Sequence, residues 1–284
     1  MFALPDEELR RVVRQALAED VGPGDVTTLA TVPETATARA LMVAREHLVP
    51  AGLALAEAAF LELSPRLQIE RLVRDGQPVA RGEGLLRVSG ATRAILTAER
   101  VALNFVQRLS GIATLTAAFV AAIQGTRAHI LDTRKTTPGW RMLEKYAVTC
   151  GGGRNHRFGL FDQVLIKDNH LAALRDEEPN AIAAAARRAR EKFPRLKVEV
   201  EADTLEQVRQ AADAGTDIIL LDNMSTEELR AAVKLIAGRA QTEASGGVNL
   251  QTVRAIAETG VDRISIGALT KDIAAIDLSM RLKV

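Results

Sequence analysis

The segment from Ile130 to His170 concentrates cationic side chains in a chain whose formal net charge is only +1. Two apolar runs, at residues 130–131 and 165–166, each lead directly into charged residues, and a glycine-rich loop lies between them. The cationic or potentially cationic residues are Arg134, Lys135, His156, Arg157 and Lys167. Charges at the ends of buried strands are costly unless an anion meets them. The pattern therefore predicts a site for a small ligand that carries more than one carboxylate as well as phosphate.

Two glycine-rich turns later in the chain predict the phosphate part of this site. Ser245–Gly247 and Gly267–Ala268 each follow a strand-like run. Glycine lets the backbone approach a ligand, and helix N-terminal amides attract phosphate, so a helix expected to begin near Asn249 favours phosphate binding at the first turn. For Ser245–Gly247 taken alone, the alternative is an ordinary turn that binds no ligand. The absence of GxxxxGK(S/T) and GxGxxG motifs argues against a nucleotide triphosphatase and a dinucleotide-binding enzyme.

Glu201 and Asp222 are expected to face the same site. A pair of carboxylates beside a phosphate site indicates Mg²⁺ or hydrogen bonds to sugar hydroxyls, and the alternative is a salt bridge to the nearby cations. His156 adjoins Arg157 on a glycine loop, which favours contact with the ligand. For His170 a ligand contact and a structural role stay open, and neither histidine has the spacing of a metal cluster.

The elements that position these residues alternate between strand and helix patterns. Strands are predicted at Ala128–Asp132, Val164–Lys167, Val198–Glu201, Ile218–Asp222, Gln241–Ser245 and Ile264–Gly267, and the main helices at Asn180–Lys192, Thr204–Ala214, Thr226–Ala237 and Asn249–Glu258. This alternation predicts a parallel sheet that right-handed crossovers curve towards a barrel, incomplete because a full barrel has eight strands. Polar residues or glycine end every predicted strand, at Asp132, Lys167, Glu201, Asp222, Ser245 and Gly267. Those ends form the functional face of a barrel.

The first part of the chain lacks this regularity and predicts a smaller α+β domain. Its predicted elements are a helix from Asp6 to near Gly22, a turn-rich connector at 19–28, strands at Ala38–Ala44 and Leu67–Val73, and a helix at Leu53–Leu63. A long buried helix over Thr92–Gln124, interrupted near Ser110–Gly111, follows. The alternating run Ile276–Val284 is expected to return to the first domain as an edge strand. The predicted domains are 1–110, joined by 274–284, and 111–273.

Composition narrows the class of protein. Apolar residues make up 47% of the chain, as in a packed globular protein, and the near-neutral charge gives no reason to expect nucleic acid or a membrane surface as a partner. Cys150 is the only cysteine, so an intrachain disulfide and a cysteine-based zinc cluster are excluded, and a buried small side chain is its expected role. No signal-peptide pattern and no membrane-length apolar run are expected, which predicts a cytoplasmic protein.

Ordered motifs along nearly the whole chain resemble those of the quinolinate phosphoribosyltransferase (nicotinate-nucleotide pyrophosphorylase) family. They are Gly24–Thr28, Glu99–Asn104, Asp132–Gly139, Asn155–Arg157, Leu165–His170, Glu199–Glu201, Leu220–Asn223 and Glu243–Gly247. The resemblance implies an incomplete α/β barrel with a smaller N-terminal α+β domain. It also implies a homodimer or a higher assembly of dimers.

The resemblance also implies roles for individual residues. Quinolinate would be held by Thr133, Arg134, His156, Arg157 and Lys167, together with Arg100 from the partner subunit. Phosphoribosyl pyrophosphate (PRPP) with Mg²⁺ would be held by Lys135, Glu201, Asp222, Ser245, Gly246, Gly247, Gly267 and Ala268. Lys135, Glu201 and Asp222 would be catalytic, with Mg²⁺ bound directly or indirectly by the last two.

The implied reaction joins the ribose of PRPP to the pyridine nitrogen of quinolinate and releases CO₂ and pyrophosphate, as in de novo NAD synthesis. From pattern alone, Arg100 is instead a surface arginine whose stem packs on the helix. The alternatives for function are a nicotinate phosphoribosyltransferase and a non-catalytic relative that binds an anion without turnover.

Overall fold

The fold is taken from a computed structural model that describes residues 4–283. The strands are β1 Thr37–Ala44, β2 Gln68–Arg71, β3 Gly84–Ala91, β4 His129–Leu131, β5 Val164–Ile166, β6 Val198–Ala202, β7 Ile218–Asp222, β8 Gln241–Ser245, β9 Arg263–Ser265 and β10 Leu278–Lys283. The helices are α1 Asp6–Val21, α2 Val26–Thr31, α3 Leu53–Leu63, α4 Thr92–Ala122, α5 Arg141–Cys150, α6 Asp168–Ala172, α7 Ala181–Lys192, α8 Leu205–Asp213, α9 Thr226–Ile236, α10 Val253–Ala257 and α11 Ala268–Lys271.

The chain divides into two compact units. The first unit comprises the described residues up to Ala117, Thr137–Gly152, and those from Asp272 onward. The barrel unit comprises Ala118–Thr136 and Gly153–Lys271. Each unit therefore contains segments that are distant from one another in sequence.

A four-stranded antiparallel sheet with the order β10-β1-β3-β2 organises the first unit. The C-terminal run forms β10, which pairs with β1 in a register that places Met42 opposite Met280. The predicted final residue of this run, Val284, lies outside the described residues. Helix α1 packs against α3 and buries Val12, Val13 and Leu17, the face that its apolar spacing predicts.

The long helix α4 has no interruption at Ser110–Gly111, so that expectation was wrong. Ser110 is fully buried, and its hydroxyl accepts a hydrogen bond of 3.1 Å from the Ala51 amide. A side chain at Gly111 would lie 2.2 Å from the carbonyl oxygen of Ala274. The small residues therefore allow close packing of neighbouring backbone, and they do not end the helix.

Helix α4 is also long and apolar enough to cross a membrane by length and composition, contrary to the expectation from sequence. Half of its most apolar window is buried in the structure. Ile95, Ala102 and Val106 are fully buried, and Arg93 and Arg100 interrupt its surface with charge. These are properties of a core helix, which meets the same criteria of length and composition.

Six parallel strands form the sheet of the barrel unit, in the order β4-β9-β8-β7-β6-β5. All six strands predicted from the sequence are present, and the order confirms an incomplete α/β barrel. Side chains alternate between faces along a strand, so the register places Glu201 beside Leu220, and Asp222 beside Ser245, on one face. The polar residues Glu201, Asp222 and Ser245 thereby lie next to one another at the carboxyl ends of the strands.

Three local features of the structure differ from the sequence-based description. The predicted connector at 19–28 already contains the start of α2, because Asp25 caps that helix by accepting from the Thr28 amide. Strand β3 was not named in advance. The helix expected from Asn249 begins only at Val253 and is five residues long. The loop at Ser245–Gly247 therefore does not lead directly into a helix N-terminus.

Candidate active site

A cavity of about 400 Å³ opens at the carboxyl ends of the parallel strands. Its lining residues all belong to the barrel unit and are Thr133, Arg134, Lys135, His156, Arg157, Leu165, Lys167, Glu201, Leu220, Asp222, Ser245 and Ser265. The cationic residues predicted from the sequence thus share one cavity with the predicted acidic pair and with the serine of the phosphate loop. This is the arrangement that the sequence-based hypothesis required.

The two acidic residues of the cavity lie on neighbouring strands. Glu201 accepts a hydrogen bond of 2.8 Å from Lys167 Nζ, so the predicted alternative of a salt bridge is present for this residue. Burial raises the pKa of Asp222, and the negative charges of Glu201 and Asp203 raise it further, against the opposing effect of Lys167 and Lys135. Asp222 therefore carries a charge that its surroundings do not fully compensate.

Asp132 fixes the loop that presents His156 and Arg157. Its carboxylate is fully buried and accepts hydrogen bonds from Asn155 Nδ2 at 2.6 Å and from the His156 amide at 2.9 Å. Asp132 was predicted at the end of a strand, but its side chain does not line the cavity. It holds the loop in place, and the next residues face the cavity.

The histidine ring points away from solvent into a pair of buried carboxylates. His156 Nε2 lies 3.2 Å from Glu199 and 3.3 Å from Glu243, and both carboxyl groups are fully buried. The Nδ1 atom accepts a hydrogen bond of 2.7 Å from the Arg157 amide. The ring proton therefore lies on Nε2 and faces the two carboxylates.

The three groups together retain a proton. Burial alone would lower the pKa of His156, but the close contacts with Glu199 and Glu243 and their negative charges outweigh it and raise that pKa to about 10. Burial and the charge of Glu243 also raise the pKa of Glu199. Because Nδ1 already accepts a bond, the proton on Nε2 is the one that the three groups share. The ligand atoms of the three residues lie within 4.8 Å of one another, the spacing of a metal site, but the proton on Nε2 points into that space.

Two arginines of the cavity lack full compensation by the protein. Arg134 Nε is buried and has no hydrogen-bond partner. Burial and the positive charge of Arg134 lower the pKa of Arg157, whose Nη1 donates a hydrogen bond of 3.2 Å to the Gln163 carbonyl. A buried donor without a partner costs free energy unless a ligand accepts from it. The pair of arginines is therefore suited to bind carboxylates.

Glycine is required in the Ser245–Gly247 turn. Gly246 has φ +98°, and a Cβ there would lie 2.1 Å from the side-chain oxygen of Asn223. Asn223 also donates from its amide to the Ser245 carbonyl at 2.9 Å, and from Nδ2 to Asp222 at 2.7 Å. Asn223 thereby couples the turn to Asp222.

The second predicted phosphate turn adjoins Lys135. A Cβ at Gly267 would lie 3.1 Å from Lys135 Cδ and 3.8 Å from Lys271 Cε, so both lysine chains pass beside this backbone. The hydroxyl of Thr270 donates a hydrogen bond of 2.8 Å to the Lys135 carbonyl and holds that loop. The approach of Lys271 to this turn was not predicted, although a lysine four residues after the glycine at a strand end was the available signal.

Arg100 and His170, which the sequence analysis also considered, are not among the residues that line the cavity. Arg100 is exposed on α4, in the first unit. His170 is exposed, and its Nδ1 accepts a hydrogen bond of 2.9 Å from the Lys167 amide, so its partner in the structure is local backbone. Cys150 is buried as predicted, and burial raises its pKa to about 12, which makes it a poor nucleophile.

The chain matches two protein-domain families, which together cover most of its length. Residues 25–110 match "Quinolinate phosphoribosyl transferase, N-terminal domain", and residues 112–281 match "Quinolinate phosphoribosyl transferase, C-terminal domain". The chain belongs to the quinolinate phosphoribosyltransferase family.

Individual members of the family match over nearly the whole of this chain. The chain is 46% identical to the rice protein named nicotinate-nucleotide pyrophosphorylase (carboxylating), chloroplastic, over 99% of this chain and 79% of the relative. It is 41% identical to a protein of Bacillus subtilis with the name probable nicotinate-nucleotide pyrophosphorylase (carboxylating), over 96% and 93%. The solved structure of the nicotinate-nucleotide pyrophosphorylase from Francisella tularensis superposes with a TM-score of 0.93, at 42% identity and over 99% and 98% of the two chains.

A more distant structure bears on the alternative function. Human nicotinic acid phosphoribosyltransferase superposes with a TM-score of 0.58, at 14% identity and over 99% of this chain and 74% of that chain. Similarity at that identity shows a shared fold alone. Membership of the quinolinate phosphoribosyltransferase family therefore leaves the nicotinate enzyme as the less favoured interpretation.

Sequence reasoning missed two further residues of this site. Glu199 and Glu243 were noted only as parts of motifs, although a carboxylate inside a strand pattern was a signal that could have been used. A charged residue at an inward-facing strand position must find a partner inside the barrel. The partner is His156, which comes from a loop more than forty residues earlier in the chain.

Proposed function

We propose that this chain transfers the phosphoribosyl group of PRPP to quinolinate with loss of CO₂, forming nicotinate mononucleotide and pyrophosphate for NAD synthesis. The observation that carries the proposal is the cavity itself, where two arginines, two lysines and a histidine share the lining with two carboxylates. A ligand with one carboxylate would leave part of this cationic lining without a counter-charge. A dicarboxylate together with a phosphorylated sugar compensates both parts.

Quinolinate is assigned to the side of the cavity formed by Thr133, Arg134, His156, Arg157 and Lys167. The unpartnered Nε of Arg134 supports this assignment, because a buried guanidinium donor favours a carboxylate acceptor. Arg157 adds a second guanidinium fork, and Lys167 adds a point charge. Two carboxylates held at fixed positions would orient the ring nitrogen.

PRPP is assigned to the rest of the cavity lining and the adjoining turns, with Lys135, Glu201, Asp222, the Ser245–Gly247 turn and Gly267–Ala268. The lysine side chains that pass beside the Gly267 backbone support phosphate binding there. Glu201 and Asp222 are suited to the ribose hydroxyls. Their negative charges would also favour the positive charge that develops on the ribose as pyrophosphate leaves.

The carboxylate pair fits Mg²⁺. Magnesium is commonly bound by one or two carboxylates together with substrate phosphates, and the pKa of Asp222 is raised partly by Glu201, a repulsion that a divalent cation relieves. Glu201 and Asp222 would hold the ion, directly or through water. Bound there with PRPP, Mg²⁺ supplies charge neutralisation for the departing pyrophosphate.

The reaction follows from these positions. The pyridine nitrogen attacks the anomeric carbon, and the bond to pyrophosphate breaks with its electron pair on the leaving group, which Lys135 neutralises. The bond between C2 and its carboxylate then breaks and releases CO₂. The electron pair stays on C2, where the adjacent positive nitrogen stabilises it until a proton from water binds.

The direct test is turnover by the purified chain. We expect release of CO₂ and pyrophosphate from quinolinate plus PRPP with Mg²⁺, and much lower turnover when nicotinate replaces quinolinate. Folded protein that binds quinolinate by calorimetry without forming product would favour the non-catalytic alternative. Equal turnover of nicotinate would favour the salvage activity.

The active site is further proposed to be shared between two copies of this chain, with Arg100 of one subunit reaching the quinolinate side of the other. The exposure of Arg100 on a mainly apolar helix supports this role. A loop just after Arg157 exposes Leu160 and Phe161 to 74% and 77%, as expected of a surface that another subunit covers. Asp162 holds this loop by accepting from the amides of Phe158 and Gly159.

Complementation tests the shared site. Arg100→Ala and Arg157→Ala should each be inactive alone, and mixed subunits should regain part of the activity because some sites then carry both arginines. Sedimentation should show at least a dimer. No recovery despite proven subunit exchange would contradict the shared site.

A cytoplasmic location stays a prediction. The rice relative is named as chloroplastic, so members of this family differ in compartment. Cell fractionation of the source organism would test it.

A further inference from the structure

Two carboxylates inside the barrel are not used by the reaction described above. Glu199 on β6 and Glu243 on β8 are both fully buried, with β7 between their strands. Their strand positions place them on the inward face, one step deeper than Glu201 and Ser245. Two buried carboxylates cost several kcal/mol unless compensated, so their presence calls for an explanation.

Among the described residues, His156 is the only basic side chain within ion-pair distance of either carboxylate. Glu199 Oε1 and both oxygens of Glu243 are buried without a hydrogen-bond partner of normal geometry. The contact of 3.3 Å between Glu243 and His156 Nε2 is therefore mainly electrostatic. A ring held between two such charges cannot rotate towards the cavity without leaving them uncompensated.

Glu199 also connects to the neighbouring arginine. Its Oε2 accepts hydrogen bonds from the side-chain amide of Gln163 and from His156 Nε2. The Gln163 carbonyl in turn accepts from Arg157 Nη1 at 3.2 Å, and the Arg157 amide donates to His156 Nδ1 at 2.7 Å. The loop from His156 to Gln163 is thereby tied to the barrel interior at both ends.

We propose that Glu199 and Glu243 are positioning residues, which fix the ring of His156 and the guanidinium of Arg157 so that the dicarboxylate side of the cavity is formed before substrate binds. The inference rests on the proposed function for the identity of the dicarboxylate. Preformed recognition avoids the cost of ordering side chains during binding. The two carboxylates also offset the mutual repulsion of the cavity's cations when no ligand is present.

Steady-state kinetics of Glu199→Gln and Glu243→Gln test the proposal. We expect KM for quinolinate to rise by roughly tenfold or more, while KM for PRPP stays within about twofold. The reason is that, in the part of the chain that the structure describes, the hydrogen bonds and ion pairs of the two carboxylates run to Gln163 and His156 and not to the phosphate turns. Asp262→Asn is the matched control, since Asp262 accepts from Thr242, the residue adjoining Glu243 on β8, but lies at the amino end of the sheet. Equal changes in both KM values, or no change in either, would overturn the proposal.

A double-mutant cycle separates positioning from general destabilisation. Glu243 contacts the cavity residues through His156, so Glu243→Gln should add less than about twofold to the quinolinate KM of His156→Gln. Independent, multiplying effects of the two substitutions would show that Glu243 does not act through the histidine. Thermal unfolding of each variant checks that the KM values are measured on folded protein.

Nuclear magnetic resonance of ¹⁵N-histidine-labelled wild-type chain gives a readout that needs neither a variant nor turnover. The chain has four histidines, and His156 should show a slowly exchanging proton on Nε2. An unprotonated Nε2, or one exchanging at the rate of bulk solvent, would overturn the proposal. Stoichiometric metal in the purified protein that is lost in Glu243→Gln would do so too. Because turnover of the wild-type chain is measured separately, failure of the proposed function and failure of the positioning role are distinguishable.

Discussion

The two ends of the parallel sheet in the barrel unit carry charged residues in opposite ways. At the amino end, Asp217 accepts from the Val198 amide at 2.8 Å and pairs with Arg190 at 3.3 Å. Asp262 accepts from both the amide and the hydroxyl of Thr242 at 2.9 Å, and it also pairs with Arg127. These charges are compensated by neighbouring strands, helices and loops.

At the carboxyl end, charges instead converge on one cavity with incomplete compensation. Arg134 Nε has no partner, and the surroundings of Asp222 raise its pKa. One parallel sheet thus carries compensated charges at its amino end and incompletely compensated charges at its carboxyl end. The difference indicates that charge at the amino end stabilises the sheet, whereas charge at the carboxyl end is held at a cost in stability for a ligand.

The largest effect is expected from removing a cation at the carboxyl end. Arg157→Ala and Lys135→Ala should each lower kcat/KM for quinolinate phosphoribosyl transfer by at least about 10²-fold, since one charge-assisted contact in the transition state contributes on the order of 2–4 kcal/mol. Arg190→Ala is the matched control at the amino end. A similar loss of activity in the control variant would break the distinction between the two ends.

Asp222→Asn should separate activity from stability. We expect kcat/KM to fall by roughly 10- to 100-fold because the site loses a carboxylate that is proposed to bind Mg²⁺ and the ribose hydroxyls of PRPP. The raised pKa of Asp222 means that the folded state binds its proton more tightly than the unfolded state does. Its contribution to stability therefore falls as pH rises from the unfolded value of 3.8 through the raised value, and the neutral variant avoids this loss.

The melting temperature at pH 7 measures this effect. It should be equal to or above that of the unsubstituted chain. A variant that is both less active and clearly less stable would show that Asp222 belongs with the compensated charges of the amino end.

A smaller effect is expected from the glycine of the phosphate turn. In Gly246→Ala, the new methyl group would collide with Asn223, so KM for PRPP should rise by about tenfold while KM for quinolinate changes little. Gly215→Ala is the control, because Gly215 also has positive φ, at +68°, but has open space around its Cβ position. Equal effects of the two substitutions would attribute the change to backbone strain alone.

The smallest effect on activity is expected at the amino end. Asp262→Asn should leave kcat/KM within about twofold and lower the free energy of unfolding by about 1–2 kcal/mol, since charge-assisted bonds to Thr242 are weakened. Urea unfolding and the steady-state assay measure the two quantities on the same sample. A large loss of turnover with unchanged stability would contradict the comparison.

Much of the site could be predicted because periodicity places strand ends and barrels bring those ends together. Glu201, Asp222 and Ser245 were found in this way. The contacts between site residues could not be predicted from the sequence. The contact of Asn223 with Gly246 and the pairing of His156 with Glu199 join residues from different loops and strands. The short α10 was also unpredictable, since the pattern from Asn249 suits either a helix or the turns that the structure contains there.

The pairing of β10 with β1 means that the first unit's sheet can be completed only late in translation. The first unit's sheet contains β1 from near the start and β10 from residues 278–283, and the entire barrel unit is encoded between them. During translation β1 must therefore wait, with one edge unpaired, while more than two hundred further residues emerge from the ribosome. A premature stop that removes only the last few residues of the described chain would leave the barrel sequence intact and still expose that edge to aggregation.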